Sequence, residues 1–204
     1  GHRTAMAMTP PPAAANSRLW LVRHAAPLVA PGTCYGALDV PADAQATRAA
    51  AERLATALPP GARVAHSTLQ RCELLAHELQ ALRPDLTLTP DARLREMDFG
   101  CWEGKTWDTI GKSAIDTWVA GFATHAPGGG ESLAHMLHRV AAALQTAREW
   151  RAHQGARDVV WITHAGVARC VAWLQERGES ALPRSEDWPA AAPGWGEWEI
   201  RELA

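Results

Sequence analysis

The sequence predicts an α/β protein: a three-layer α/β/α sandwich with a mostly parallel central sheet. Short apolar runs alternate along the chain with longer segments whose apolar residues recur at helical spacing. Two of these runs, at 19–22 and 158–163, stop at polar residues that include a histidine, as strands do when their carboxyl ends open into a site. With 204 residues, the chain is long enough for one sizeable core.

The individual elements follow from residue spacing and from turn residues. Five strands are predicted at 19–22, 63–67, 86–89, 158–163 and 195–201, and four helices at 44–58, 69–82, 131–152 and 167–176. The sequence PPG at 59–61 ends the first helix, and Ser67 or Thr68 is a candidate N-cap for the second. A weakly periodic helical segment is expected to start near residue 112.

The folded unit is predicted to be a single domain from residue 18 to residue 204. Residues 1–17 lack the continuous apolar block of a signal peptide, and we expect them to be a disordered leader or a cloning scar. Residues 102–130 are a candidate cap over the site. Trp107 and Trp118, in this segment, either stack against a substrate ring or pack in the core, and core packing is the favoured alternative.

The composition excludes several functions. Twenty basic residues stand against 22 acidic residues, so the chain has no basic field for nucleic acid or for a membrane surface. No apolar run approaches the ~20 residues of a membrane span. The four cysteines, Cys34, Cys72, Cys101 and Cys170, form no CxxC pair, so neither a zinc site nor a redox site is predicted. Free thiols favour a reducing cytoplasm as the location.

Two arginines and two histidines fall close to strand-to-helix junctions, which meet at one edge of an α/β sheet. Arginine forks match the oxygens of a phosphate, so Arg23 and Arg71 are candidates to clamp a phosphoryl group. A neutral His24 beside a clamped phosphorus is a candidate nucleophile. The helix that follows His164 would add backbone donors for the same anion.

A departing alkoxide needs a proton, and a carboxyl group beside a phosphate dianion can supply it, because the like charge favours the protonated form. Glu96 and Glu103 lie in a segment of mixed charge, aromatics and glycine, and either could serve. A metal site at His24 and His164 is disfavoured, since arginines in the same pocket would repel a cation.

These residues lie in sequence blocks that resemble those of the histidine phosphatase superfamily, whose fold is phosphoglycerate mutase-like. The blocks are LVRHA, STLQRC, LREMDFGCWEG, PGGGES and THAGV, in the family's order over nearly the whole folded chain. The resemblance implies that His24 is phosphorylated, that Arg23, Arg71 and His164 bind the phosphoryl group, and that Glu96 is the general acid. It also implies that no metal or organic cofactor is needed.

The resemblance leaves the substrate open. The sequence CYGALDVP at 34–41 and the compact length look most like the α-ribazole phosphatase branch. We therefore expect hydrolysis of a small phosphomonoester, with α-ribazole 5'-phosphate as one candidate. Phosphoglycerate mutase activity and a catalytically inactive phosphate-binding module are the alternatives. The sequence does not predict the oligomeric state.

Glu103 and Ala25 are two further residues of these blocks. Glu103, in the WEG triplet, looks like a supporting residue or a purely structural one. Ala25 stands where the family usually has glycine, which allows a close approach of the backbone to phosphate and costs nothing at positive φ. We expect alanine, the smallest substitute, to be tolerated, although it puts the local geometry in question.

Overall fold

The computed structural model describes residues 17–203 and has a five-stranded sheet at its centre. The strands are β1 (Arg18–Arg23), β2 (Arg63–His66), β3 (Thr87–Pro90), β4 (Asp158–Thr163) and β5 (Trp198–Glu202). Their order is β3-β2-β4-β1-β5, in which β5 runs antiparallel to β1 and the other neighbours are parallel. The predicted mostly parallel sheet is confirmed, with the last strand as an antiparallel edge.

Helices cover both faces of this sheet. Within the described residues they are α1 (Ala44–Ala57), α2 (Gln70–Leu82), α3 (Trp107–Ile110), α4 (Lys112–Ala120), α5 (Leu133–Gln154) and α6 (Ala165–Arg177). Leu19 and Leu21 of β1 pack in the core cluster that contains side chains of α5 and α6. Trp20 and Val22 pack in the cluster of α1 and α2. Because successive strand side chains point to opposite faces, this alternation confirms the three-layer sandwich.

The start of α2 differs from the prediction. Its N-cap residue is Leu69, which has no capping side chain, so neither Ser67 nor Thr68 is the N-cap. Ser67 lies two residues before the N-cap, and its Oγ accepts a hydrogen bond from the N–H of Leu69. At α5 the N-cap is Ser132, whose side chain accepts from the N–H of His135.

The remaining segments fit around this core. The candidate cap at 102–130 carries the short helices α3 and α4, neither of which has a fully buried residue. The predicted leader lies outside the described residues, apart from Ser17, whose carbonyl accepts a hydrogen bond from the N–H of Leu203. Among residues 17–203, no helix is both long enough and apolar enough to cross a membrane.

Candidate active site

Three strands bring the predicted site residues to one edge of the sheet. β1 ends at Arg23 and is followed by His24, while its neighbour β4 ends at Thr163 and is followed by His164. Arg23 and Thr163 are paired in the register, so the two histidines lie side by side, with ring centroids 5.2 Å apart. β2 leads through a short turn into α2, which carries Arg71 in its first turn.

A cavity of about 440 Å³ opens at this edge. Arg23, His24, Arg71 and Glu96 all line it, so the cavity brings together four of the five residues predicted from the sequence. The fifth, His164, is buried beside His24 and is not part of the lining. The predicted cluster is therefore assembled, with His164 one layer behind the surface.

His24 has one ring nitrogen free for chemistry. Its Nδ1 lies 2.7 Å from the carbonyl oxygen of Ala25, which can only accept, so Nδ1 carries the hydrogen and Nε2 the lone pair. Burial lowers the pKa of His24 to about 3, and the charges of Arg71 and Arg23 act in the same direction, against the hydrogen bond to Ala25. The ring is therefore neutral near pH 7, which is the form that a nucleophile requires.

Ala25 does not have positive φ. Among residues 17–203 every residue with positive φ is a glycine, so Ala25 lies outside the left-handed region that favours glycine. Its side chain is buried and does not line the cavity. The replacement of the family's usual glycine by Ala25 therefore does not force alanine into positive φ.

We expect Ala25→Gly to change kcat/KM for p-nitrophenyl phosphate by less than about threefold, as for other substitutions away from strained positions. The carbonyl that orients His24 belongs to the backbone and is retained in the variant. Steady-state kinetics of the two proteins measure the ratio. A large gain in the variant would show that the alanine obstructs the phosphate.

Nε2 of His164 faces two polar side chains. Ser67 Oγ lies 2.8 Å from this nitrogen and accepts a hydrogen bond from the N–H of Leu69. The thiol of Cys72, 3.5 Å from the same nitrogen, donates to the carbonyl of Thr163. A ring hydrogen on Nδ1 leaves Nε2 as an acceptor for the Ser67 hydroxyl.

This Nδ1 is buried and has no hydrogen-bond partner within the described residues. Burial, together with the smaller effects of His24 and Arg71, lowers the pKa of His164 well below its usual value. His164 is therefore a neutral side chain whose unpartnered Nδ1 lies next to the candidate nucleophile, and with the ring hydrogen on Nδ1 this group can donate to a phosphoryl oxygen.

Arg71 is fully buried, with 0% of its surface exposed. Its Nη1 donates to the carbonyl of Leu38 at 2.8 Å, its Nη2 donates to the carbonyl of Gly36, and its Nε has no partner. The ring of Tyr35 lies below the guanidinium, 5.2 Å from ring centroid to Cζ. The loop at 35–38 therefore fixes the orientation of this cation without neutralising it.

The C-terminal segment holds Arg23 in place. Nη1 of Arg23 donates to the carbonyl of Pro193, and its guanidinium lies 5.6 Å from the ring centroid of Trp195. The N–H of Gly196 donates to the carbonyls of both Arg23 and His24. Nε of Arg23 is buried without a partner. The tail thus fixes the end of β1 and leaves this guanidinium with donor capacity facing the cavity.

Glu96 is held against the start of α6. Its carboxylate accepts from the N–H of Gly166 at 3.1 Å and from its neighbour Met97 at 3.0 Å. A side chain on Gly166 would overlap this carboxylate, so the glycine is what allows Glu96 to lie at the helix N-terminus. The hydroxyl of Thr163 also donates to the carbonyl of Leu94, which ties the preceding residues to β4.

Glu103 has a different position and does not line the cavity. Its two carboxylate oxygens accept four backbone N–H groups, from Gly36, Ala37, Leu38 and Phe99, at 2.8 to 3.1 Å. Of the two candidate proton donors, the geometry favours Glu96. Glu103 organises the loop whose carbonyls hold Arg71, which agrees with its predicted supporting role.

Several lining residues were not singled out from the sequence. Arg169 lies one turn after Gly166 on the same face of α6, a spacing from which it could have been found. Thr33 and Tyr35 reach the cavity from the loop after β1. Within residues 17–203, no group of three or more histidine, cysteine, aspartate or glutamate side chains is placed to hold a metal ion.

The chain is similar to a phosphoglycerate mutase-like protein and to solved structures of a phosphatase and a hydrolase. Phosphoglycerate mutase-like protein 4 of Arabidopsis thaliana is 33% identical over 158 residues, covering 74% of this chain and 66% of that relative. A mycobacterial glucosyl-3-phosphoglycerate phosphatase is 29% identical with a TM-score of 0.71, over 90% of this chain and 89% of that one. Mycobacterial hydrolase 1 is 26% identical with a TM-score of 0.72, over 90% and 88% of the two chains.

The family comparison covers most of the sequence. The model of the histidine phosphatase superfamily (branch 1) matches residues 19–191, a range that contains every predicted site residue. The fold, the order of the blocks and the convergence of their residues at one sheet edge agree with that match. The chain belongs to the histidine phosphatase superfamily.

Proposed function

We propose that the protein is a phosphomonoester hydrolase that works through a phosphohistidine at His24. One observation carries the proposal: Arg23 and Arg71 flank a neutral histidine, and neither forms an ion pair with a carboxylate of residues 17–203. A cation taken out of water without a counterion is costly, so the fully buried Arg71 and the half-buried Arg23 are matched to an anion that binds from solution. A phosphate ester supplies that anion.

The first step uses the free nitrogen of His24. Nε2 attacks phosphorus, and the N–P bond forms as the bond between phosphorus and the alcohol oxygen breaks. Glu96 gives its proton to the departing oxygen, so the alcohol leaves neutral. The Ala25 carbonyl, which holds Nδ1–H, stabilises the positive charge that the ring acquires. Arg23, Arg71 and Nδ1–H of His164 stabilise the phosphoryl oxygens.

The second step restores the enzyme. Glu96, now a carboxylate, takes a proton from a water molecule that attacks phosphorus, and the N–P bond breaks. Inorganic phosphate leaves, His24 is again neutral, and Glu96 is again protonated. Both steps use the same two side chains in the same cavity wall.

The substrate is a separate part of the proposal. α-Ribazole 5'-phosphate stays a candidate because of the sequence at 34–41, and a glycosylated phosphoglycerate is a candidate because a structural neighbour is named for that activity. The name of the Arabidopsis relative supports a mutase as the alternative. We also propose that residues 102–130 cap the site. Four free cysteines, three of them buried, support a location in the reducing cytoplasm.

A trapping experiment tests the mechanism. The protein is mixed briefly with radiolabelled phosphomonoester and quenched in alkaline detergent. We expect up to about one label per protein molecule, stable in base and lost in acid, as a covalent phosphohistidine requires. His24→Ala should carry no label. His138→Ala, which removes an exposed histidine of α5, is the matched control and should be labelled like the wild type.

Four outcomes would contradict the proposal. Label on serine or aspartate, or label that persists in His24→Ala, would place the nucleophile elsewhere. Rapid labelling followed by transfer to a second phosphoglycerate hydroxyl, with no release of inorganic phosphate, would favour the mutase. An absence of label together with tight binding of inorganic phosphate would favour the inactive binding module.

A further inference from the structure

The lining of the cavity beside His24 includes two chemically different sets of side chains. One set consists of Arg23, His24, Arg71 and Glu96, described above. The other consists of five aromatic side chains, called here the aromatic wall: Phe99, Trp107, Trp118, Phe122 and Trp188. The proposed chemistry at phosphorus uses none of these rings.

The aromatic wall is continuous. Phe99 lies edge-on to Trp107 and to Trp118, with centroids 5.9 and 5.7 Å apart. Trp118 stacks on Phe122 at 5.7 Å, and Phe122 meets Trp188 at 6.0 Å. Edge-on and offset contacts at these distances are favourable. The five rings therefore form one connected surface from α3 and α4 to the segment near residue 188.

Two further tryptophans support this surface from behind. Trp102, which is buried, contacts both Trp107 and Trp118 edge-on at 6.3 and 5.9 Å. Trp173 of α6, also buried, lies 6.0 Å from Trp188. Rings that are packed on their far side lose little freedom when a ligand covers the near side, so the wall is preorganised for binding.

The wall is not ordinary core. Each of its five side chains is only half-buried, whereas Leu133 and Met136, which also line the cavity, are 3% and 1% exposed. An apolar surface that stays open to water in a concave site is the usual form of a binding site for an organic group. The indole Nε1 of Trp118 is in addition buried without a partner in the described chain.

The geometry points to an assignment for this surface. We propose that the aromatic wall is the leaving-group subsite, and that it takes a bulky uncharged organic group with a flat apolar face, joined to the phosphate by a short linker. An aromatic ring system and the C–H face of a sugar both present such a surface. The five rings of the wall carry no positive charge that would hold the carboxylate of a small acid such as phosphoglycerate. The assignment rests on the proposed phosphatase function for its catalytic consequences, but not for binding.

Binding is tested with phosphonates, which cannot be hydrolysed. Calorimetry compares naphthylethylphosphonate, a phosphonate analogue of glucose phosphate, and ethylphosphonate. We expect at least one of the two bulky ligands to bind about 30-fold more tightly than ethylphosphonate, from the apolar area that it covers. The stronger of the two identifies the source of the flat face. Equal affinities for all three ligands would overturn the assignment, whether or not the protein is a phosphatase.

Kinetics test the same point with primary alkyl phosphates, whose leaving groups need similar protonation. For the preferred bulky ester, Trp118→Leu and Trp188→Leu should each lower kcat/KM about 10-fold. For glycerol phosphate, which has no flat apolar face to place on the wall, the change should stay within about twofold. Trp150→Leu is the matched control, because Trp150 is half-buried on α5, outside the cavity.

The results separate the two proposals. Parallel losses for both esters in the Trp118 and Trp188 variants would show that the tryptophans only maintain the fold, and would overturn the subsite. Failure to hydrolyse any ester, with the phosphonate preference intact, would contradict the phosphatase proposal and leave the aromatic wall as a ligand-binding surface. A preference for phosphoglycerate over both bulky esters would overturn the subsite alone.

Discussion

Glu96→Gln is expected to lower kcat/KM for alkyl phosphates by about 10²–10⁴-fold, the usual contribution of a positioned proton donor. With p-nitrophenyl phosphate the loss should be less than about 10-fold, because p-nitrophenolate departs with little need of a proton. The measurement is kcat/KM over a series of esters whose leaving groups span a wide range of basicity. In the variant the rate should depend more steeply on that basicity.

The control for this variant is Glu52→Gln, which removes an exposed carboxylate on α1 and should leave the whole series unchanged. Equal losses for activated and unactivated esters in Glu96→Gln would show that Glu96 binds the substrate instead of protonating the leaving group.

Gly166→Ala tests whether the position of the Glu96 carboxylate matters. The added methyl group would overlap the carboxylate of Glu96, which is the mobile end of its side chain, so we expect the carboxylate to move and the fold to remain. The variant should then show the same dependence on the leaving group as Glu96→Gln. This agreement would support a role that depends on the position of Glu96 at the start of α6.

The parts of the site that the sequence predicts are those that depend on local pattern. Apolar runs that stop at polar residues identify the carboxyl ends of β1 and β4, and parallel strands bring these ends to one edge of the sheet. The structure adds that the two strands are neighbours, which places His24 beside His164. Arg71 could be placed because it lies in the first turn of a helix that follows a strand. Strand order and the antiparallel edge depend on packing, which a single sequence does not show.

Other features depend on contacts between distant segments. The N–H groups that bind Glu103 come partly from residues 36–38, more than 60 positions earlier in the chain. The aromatic wall draws its rings from 99, 107, 118, 122 and 188, which follow no helical or strand period. The sequence favours core packing for Trp107 and Trp118. In the structure each packs against other rings and also lines the cavity, so the two alternatives do not exclude each other.

The second large effect on activity is expected at Arg71, whose orientation depends on the loop that Glu103 holds. Arg71→Met is expected to lower kcat/KM by at least about 100-fold, because it removes a buried charge that would donate to the phosphoryl oxygens.

Glu103→Gln should weaken the binding of inorganic phosphate about 10-fold and raise KM by a similar factor, although Glu103 is outside the cavity. The kcat of Glu103→Gln should fall by less than about threefold, since His24 and Glu96 keep their own partners.

Glu103 is expected to affect phosphate binding because it is connected to Arg71 by hydrogen bonds through the loop at 35–38, a connection called here the relay. Glu103 accepts the N–H groups of Gly36 and Leu38, and the carbonyls of those same two residues accept from the guanidinium of Arg71. A glutamine has only one acceptor oxygen and turns an amide N–H₂ toward the remaining donors. The loop should then shift, and the fork of Arg71 should lose the orientation that matches phosphate.

A double-mutant cycle distinguishes this relay from a general loss of structure. If Glu103 acts through Arg71, Glu103→Gln should weaken phosphate binding about 10-fold in the wild-type protein and less than about twofold in the Arg71→Met background. Phosphate affinity is measured by competitive inhibition for the active proteins and by calorimetry for the Arg71 variants. Equal losses in both backgrounds would show that Glu103 supports the cavity independently of Arg71. A fall in kcat with KM unchanged would place its effect on His24 or Glu96, and the relay would then be wrong.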